Sequence, residues 1–185
     1  MARTLRRLAI GGGLALLLVL LAPVTASRVS FAQTHSSAQF TVFATGLNNP
    51  RGLTFGPDGK LYVAEGGLGG TLSTVGQCPQ VPAAGPYTGG YTSRISKISS
   101  DGTLSTVVDQ LPSSTTNPAL GSLTSGVSDI QFIDGTLYGM EAGAGCSHGL
   151  AGTDNTIFRV NRNGTTTTVA DLSAFVKAHP VANPC

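Results

Sequence analysis

An internal repeat of two alternating segments constrains the fold of this 185-residue chain more than any other feature. The first segment, residues 51–65, reads RGLTFGPDGKLYVAE, and its echo at 128–141 reads SDIQFIDGTLYGME, with one residue deleted before the Asp. The second segment, residues 97–109, returns without a gap at 159–171. Self-similarity of this kind is the signature of repeat architectures. The chain therefore carries an ordered A–B–A–B repeat, in which A is the 51–65 type of segment and B the 97–109 type.

Each segment consists of two short β-rich runs around a turn dipeptide. The dipeptides are Asp58-Gly59, Asp101-Gly102, Asp134-Gly135 and Asn163-Gly164. Asp-Gly and Asn-Gly favour two-residue hairpin turns of type I′, which need positive φ at both central positions. We therefore predict four hairpins with eight strands, preceded by an extra strand at Gln39–Phe43.

Four-stranded antiparallel sheets that repeat in order are typical of the β-propeller. A β-sandwich is the structural alternative, but it does not require an ordered repeat. We predict an all-β chain in which residues 39–185 form a partial β-propeller of about two four-stranded blades, with an incomplete ring because propellers have about 4–8 blades. An incomplete ring indicates a fragment of a longer propeller. The alternative is a short protomer that closes a ring by self-association through its open blade edges.

The composition agrees with many short strands joined by tight turns. Hydrophobic residues make up 41% of the chain, charged residues only 11%, and 25 residues are Gly. This combination excludes an intrinsically disordered chain and a long helix or coiled coil. The sequence also lacks the clustered Lys and Arg that nucleic-acid binding requires, so we expect no nucleic-acid partner.

The N-terminus has the three-part layout of a secretory signal peptide. Three arginines within the first seven residues precede an apolar run at 8–21, and small residues then lead to a cleavage site after Ala26, with an alternative after Ala32. We predict a signal peptide at 1–26, a flexible leader at 27–38, and a mature protein that is secreted or lies at the exterior of the cell envelope. After cleavage we expect no membrane association; an uncleaved membrane anchor is the alternative.

The stretch from Ala44 to Glu65, ATGLNNPRGLTFGPDGKLYVAE, resembles the opening blade of the ScyD/ScyE family of exported β-propellers. The run VADLSAF at 169–175 is also similar to that family. The pieces NPRGL and PDGxLYV are shared with NHL, gluconolactonase-like and sorbosone-dehydrogenase-like propellers. The resemblance implies an exported, six-bladed, TolB-like propeller of which this chain is an N-terminal fragment, and it implies no particular chemistry.

The connectivity of a meander separates short turns from long loops. Successive connections alternate between the two ends of an antiparallel sheet, so the four tight turns lie at one end. The long connections 66–92, 109–126, 142–155 and 171–184 then lie at the other end. Because long loops on a rigid scaffold often carry binding residues, we expect binding at the long-loop end.

Three carboxylates are the candidate metal ligands. Glu65 and Glu141 occupy equivalent strand ends, and Asp129 lies near the start of a strand. Together they are candidates for Ca²⁺, which takes about 6–8 oxygen ligands. We favour the interpretation that the two Glu residues cap strand ends or accept hydrogen bonds from loop amides, over exposed rim carboxylates that bind Ca²⁺.

Cys78 and Cys146 lie in equivalent loops of adjacent units, which favours a disulfide between them over a catalytic role for Cys146 beside Ser147 and His148. An enzyme needs a base, an orienting partner and a cofactor cradle in one place, and the sequence shows no such combination. We therefore predict an exported, non-catalytic binding or scaffold protein whose partner is a small molecule, a polymer or a protein. No cofactor is predicted apart from Ca²⁺. The alternative is part of a sorbosone-dehydrogenase-like or lactonase-like enzyme with a quinone or metal in the channel.

Overall fold

The computed structural model describes residues 39–116 and 123–182, so the predicted signal peptide and leader lie outside the described residues. The described chain is almost entirely β-structure. Its strands are β1 (Pro50–Phe55), β2 (Leu61–Glu65), β3 (Thr88–Ile98), β4 (Leu104–Thr115), β5 (Thr124–Ile133), β6 (Thr136–Ala142), β7 (Thr156–Val160) and β8 (Thr166–Asp171). One turn of 3₁₀ helix spans Cys146–His148, and a short helix, α1, spans Leu172–Ala178. The predicted all-β class is confirmed.

The eight strands are antiparallel and follow one another in chain order in one open sheet. The junction between β4 and β5 consists of only two residue pairs, Ser114–Ser125 and Thr115–Thr124. Strands β1 and β2 also contact β5. The sheet therefore folds back at this junction, and its first half (β1–β4) packs against its second half (β5–β8).

The sequence repeat is also a repeat of strand register. The pairing of β1 with β2 recurs between β5 and β6, and the pairing of β2 with β3 recurs between β6 and β7. The irregularities recur as well, because the β3–β4 register shifts after Ile95 and the β7–β8 register shifts after the equivalent Ile157. The two halves are thus versions of one four-stranded unit.

All four predicted turns join consecutive strands, but only one has type I′ geometry. In that turn both Asp134 and Gly135 have positive φ, at 48° and 72°. In the other three turns the Gly alone has positive φ, and the Gly59 N–H donates to the Gly56 carbonyl at 2.9 Å, as in a three-residue hairpin loop. The deletion before Asp134 explains the difference, because it shortens the loop from three residues to two.

Two predictions about the strands are wrong: the extra strand before β1, and the lengths of β3 and β4. Gln39–Phe43 forms no strand, and its residues are exposed. Its alternating apolar residues favour a strand, but a strand is stable only where neighbouring strands pair and pack with it. Strand β3 begins earlier than predicted, at Thr88, and β4 continues to Thr115, so the first two long connections shorten to 66–87 and 116–123.

The core lies between the two halves. It is formed by the buried residues Ala64, Ile95, Val108, Leu111, Val127, Ile130, Leu137 and Phe158. At its margin the ring of Tyr62 in β2 meets the ring of Phe132 in β5 edge to face, with centroids 4.9 Å apart. Burial of apolar surface, worth about 25 cal/mol per Å², is therefore what holds the halves together.

Candidate functional site

The long connections lie at the end of the sheet opposite the four tight turns, as the meander predicts. The two that the structure describes throughout are 66–87, between β2 and β3, and 143–155, between β6 and β7. Cys78 and Cys146 join them in a disulfide, with Cα atoms 6.3 Å apart and a sequence separation of 68. This bond ties a loop of the first half to a loop of the second half.

Side-chain packing reinforces the disulfide. The ring of Tyr87 packs on His148 with centroids 4.6 Å apart, and the Thr74 hydroxyl donates to the Cys146 carbonyl. Leu150 is buried beside Gly89, where a Cβ would lie 2.9 Å from the His148 carbonyl oxygen. The two loops therefore form one packed layer.

Asn155 fixes the second of these loops, 143–155, through hydrogen bonds of its side chain and backbone. Its Oδ1 accepts hydrogen bonds from the Gly143 and Ala144 amides at 2.8 and 2.9 Å. Its own N–H donates to Ser173 Oγ at 2.9 Å, and the Leu172 N–H donates to its carbonyl at 2.9 Å. One side chain and its backbone thus fix both the loop 143–155 and the start of α1.

A polar cleft of about 450 Å³ opens between the loops beside the disulfide. Its polar lining residues are Ser147, His148, Thr153, Asp154, Asn155 and Ser173. Burial lowers the pKa of His148, so its ring is neutral at pH 7, and its Nδ1 lies 3.2 Å from Ser147 Oγ. The cleft therefore offers uncharged hydrogen-bonding groups and one exposed carboxylate, that of Asp154.

Two cleft residues, Cys146 and Ser147, are of types that serve as nucleophiles in enzymes. Cys146 is oxidised in the disulfide and supplies no thiolate. Ser147 contacts His148 as its neighbour in the chain, and within residues 39–116 and 123–182 no carboxylate forms an ion pair with that imidazole. An activated serine needs a base that a third group orients.

Glu65 is not an exposed rim carboxylate, because it is 0% exposed. Arg94 in β3 donates from Nε to Oε1 at 2.8 Å and from Nη2 to Oε2 at 3.0 Å. The Asn48 N–H donates to Oε2 at 2.5 Å, and the Ser96 hydroxyl donates to Oε1. Glu65 thus accepts a hydrogen bond from a loop amide, as we predict from the sequence. This bond fixes the segment before β1 to the sheet.

Glu141, the equivalent residue of the second half, is 3% exposed and is also not a rim carboxylate. Neither of its carboxylate oxygens has a hydrogen-bond partner among the described residues. Burial raises the pKa of Glu141 to about 8, and the nearby Ala142 amide opposes this rise only in part. The position equivalent to Arg94 is Thr156, which carries no charge. At pH 7 Glu141 is therefore mainly a neutral carboxylic acid.

Asp129 lies on β5 against β1, where a Cβ on Gly52 would come within 2.9 Å of the Asp129 Cα. Its Oδ1 accepts the N–H of Ile130 at 2.9 Å. In the part of the chain that the structure describes, no three His, Cys, Asp or Glu side chains are grouped as a metal ion would require. Glu65, Glu141 and Asp129, the candidate Ca²⁺ ligands, are therefore not grouped into one site in the described part of the chain.

Sequence reasoning missed Arg94 and Asn155, which organise these sites. Arg94 pairs directly with Glu65 across β2 and β3, three residues before the predicted start of the second segment. Extending that strand backwards along the register would have found it. Asn155 has no comparable signal, because its contacts depend on the path of a long loop.

A scan against protein-family models finds no match, and no curated protein and no solved structure is found to match this chain. None of the helices within the described ranges is long and apolar enough to cross a membrane. Evidence on function therefore comes from the geometry of the chain itself.

Proposed function

We propose that this chain is an exported, non-catalytic binding module of the β-propeller type, similar to the ScyD/ScyE family, whose polar cleft binds a small polyhydroxylated molecule. The observation that carries the proposal is the cleft of about 450 Å³ at the long-loop end, held by the Cys78–Cys146 disulfide. Preformed clefts with a few convergent polar groups are the usual sites of small-ligand binding.

The repeat geometry supports the propeller type. Each half is a four-stranded antiparallel meander with matching register, and the halves share one core. Successive blades of a propeller are sheets of this kind arranged radially around an axis. In this arrangement the long loops of neighbouring units meet at one end, where the cleft lies.

The lining chemistry supports the ligand class. The hydroxyls of Ser147 and Ser173, the neutral ring of His148 and the carboxylate of Asp154 can each form hydrogen bonds with hydroxyl groups. Among the described residues, those that line the cleft include no Lys or Arg. An uncharged molecule with several hydroxyl groups therefore fits this lining better than an anion does.

Export is part of the proposal and has its own support. The disulfide is typical of proteins that mature in an oxidising compartment. N-terminal sequencing of exported protein should give a mature start at Ser27, or at Gln33 if the alternative site is used. Recovery of the chain with Met1 intact in a membrane fraction would contradict cleavage.

The test of the cleft is calorimetric titration of the full exported protein with glucose, galactose and sucrose, with inorganic phosphate as the anionic comparison. We expect at least one sugar to bind, and we expect Asp154→Asn and His148→Gln each to weaken that binding about tenfold through loss of a hydrogen bond. The matched control is Asp109→Asn, at an exposed position in β4 outside the cleft, which should bind as the wild type does.

Three results would contradict the proposal. Binding that neither cleft variant weakens would place the site elsewhere, and preference for phosphate would contradict the ligand class. Turnover of a sugar or lactone that depends on a quinone or a metal would show an enzyme, which is the sequence-based alternative.

A further inference from the structure

The face of the second half that points away from the core has no cover within the described chain. Val169 is 58% exposed, and Met140 is exposed beside a shallow groove of about 210 Å³. Tyr138 and Ile157 line the same groove. We call Tyr138, Met140, Ile157 and Val169 the second-half outer face.

Within the described residues, the first half also leaves apolar side chains exposed on its own far side, along β1. Phe55 is 71% exposed, and Leu53 is exposed as well. We call these two residues the first-half outer face. The segment before β1 lies on this side of the sheet beside Glu65 and Arg94, where Asn48 and Gly46 are bound, and it also reaches Leu104 and Gly102. Leu53 and Phe55 stay outside these contacts and are exposed.

Each outer face is the repeat equivalent of a face that is packed inside the chain. The second-half outer face corresponds to Tyr62, Ala64, Ile95 and Val107, which lie in or against the core. Leu53 and Phe55 correspond to Ile130 and Phe132 on the other side of the same core. The two outer faces therefore correspond to the two sides of a contact that the chain already makes.

Two details of the internal contact would recur if the second-half outer face of one copy packed on the first-half outer face of another. Tyr62 meets Phe132 edge to face at 4.9 Å, and the equivalent pair is Tyr138 of one copy with Phe55 of the next. Gly52 lies so close to Asp129 that it leaves no room for a Cβ. In a contact between copies, Asp129 of one copy takes the position that Gly52 has inside the chain, and Gly52 of the next copy takes the position of Asp129. Only one of the two closely approaching residues then carries a side chain, as inside the chain.

We propose that the chain self-associates head to tail, the second-half outer face of one copy packing on the first-half outer face of the next. The occupant of each face is a second copy of this chain, because these copies already carry both sides of the contact. A head-to-tail contact of this kind propagates until it closes a ring. A closed propeller ring has about 4–8 four-stranded units of the kind that each half forms. The inference rests on the propeller-type repeat of the proposed function.

The test is sedimentation velocity on the full exported protein from micromolar to hundred-micromolar concentration. We expect the mean mass to rise above that of the monomer. Phe55→Asp and Met140→Asp each place a charge on one outer face, and each alone should lower the association constant by about tenfold or more. The matched control is Leu68→Asp, at an exposed position in the loop 66–87, which should associate as the wild type does.

The decisive measurement is a one-to-one mixture of the two variants. Each keeps the face that the other has lost, so the mixture should form a heterodimer and nothing larger. Circular dichroism checks that each variant is folded. A wild-type protein that stays monomeric throughout, an oligomer that both variants leave intact, or a mixture without heterodimer would each overturn the inference. Sugar binding by a monomeric wild type would overturn self-association alone and leave the proposed function standing.

Discussion

The two halves of the sheet carry a buried glutamate at the same position of the same four-stranded unit, yet the two carboxylates are in opposite electrostatic states. Glu65 is paired with Arg94 and accepts the Ser96 hydroxyl. In the second half these two partners are replaced by Thr156 and by Phe158, whose ring belongs to the core. The neighbouring strand therefore decides whether the glutamate is a paired anion or a neutral acid, and the repeat leaves that strand free to vary.

The largest effect that tests this comparison is a pH-dependent loss of stability at Glu141. The pKa of Glu141 is about 8 in the folded chain against an ordinary 4.5, so the folded state binds more protons between these values. The free energy of unfolding therefore falls as pH rises from about 4.5 to 8. Since one pKa unit corresponds to about 1.4 kcal/mol, the loss is at most about 5 kcal/mol. Glu141→Gln should lack it, so urea unfolding should show the variant to be the more stable protein at pH 8 and similar to the wild type near pH 4.

A gain-of-partner variant sharpens the same test. Thr156→Arg places a guanidinium where the first half has Arg94, and it should lower the pKa of Glu141 and flatten the pH dependence. A steep dependence that survives both Glu141→Gln and Thr156→Arg would show that another group causes it. In that case the contrast between the two glutamates would not be the source of the pH effect.

The next effect concerns the bond that joins the long loops of the two halves. The Cys78–Cys146 disulfide closes a loop with a sequence separation of 68. In the chain-entropy model such a loop is worth about 4 kcal/mol. Thermal unfolding with and without reductant should show a large fall in the midpoint for the wild type and no response to reductant in the Cys78→Ser/Cys146→Ser double variant. Equal midpoints for the oxidised and reduced wild type would contradict this expectation.

Glu65→Gln should lower the free energy of unfolding by somewhat less than loss of the disulfide does. The change removes the charge that faces Arg94, and breaking a buried ion pair from one side costs about 3 kcal/mol. Arg94 keeps some solvent access, with 24% of its side chain exposed, which limits the loss. Urea unfolding at pH 7 should show Glu65→Gln to be destabilised and Glu141→Gln to be stabilised. If both substitutions have the same sign, the comparison between the halves is wrong.

The fold could be predicted from the sequence wherever the signal is local. The alternating segments and the four turn dipeptides predicted the eight strands, their order and the end at which the long loops lie. The two repeated segments do not predict the environments of Glu65 and Glu141, because these depend on residues of the neighbouring strand. Arg94, for example, is 29 residues from Glu65 and lies before the second segment begins. The cleft depends on Asn155 and on the folded path of two loops, which no period in the sequence specifies.

The smallest expected effect distinguishes the two kinds of turn. Asp134 has a positive φ of 48°, a backbone conformation that is strained for most residues, whereas Asp58 has no positive φ and its Oδ1 accepts the Lys60 N–H at 3.2 Å. Asp134→Gly should therefore be neutral or slightly stabilising, because Gly adopts positive φ without strain. Asp58→Gly should destabilise by about 1 kcal/mol through the lost hydrogen bond and the greater freedom of the unfolded chain. Urea unfolding of the two single variants at pH 7 measures the difference, and a cost for Asp134→Gly equal to that for Asp58→Gly would mean that the deletion in the second repeat does not change how the turn uses its aspartate.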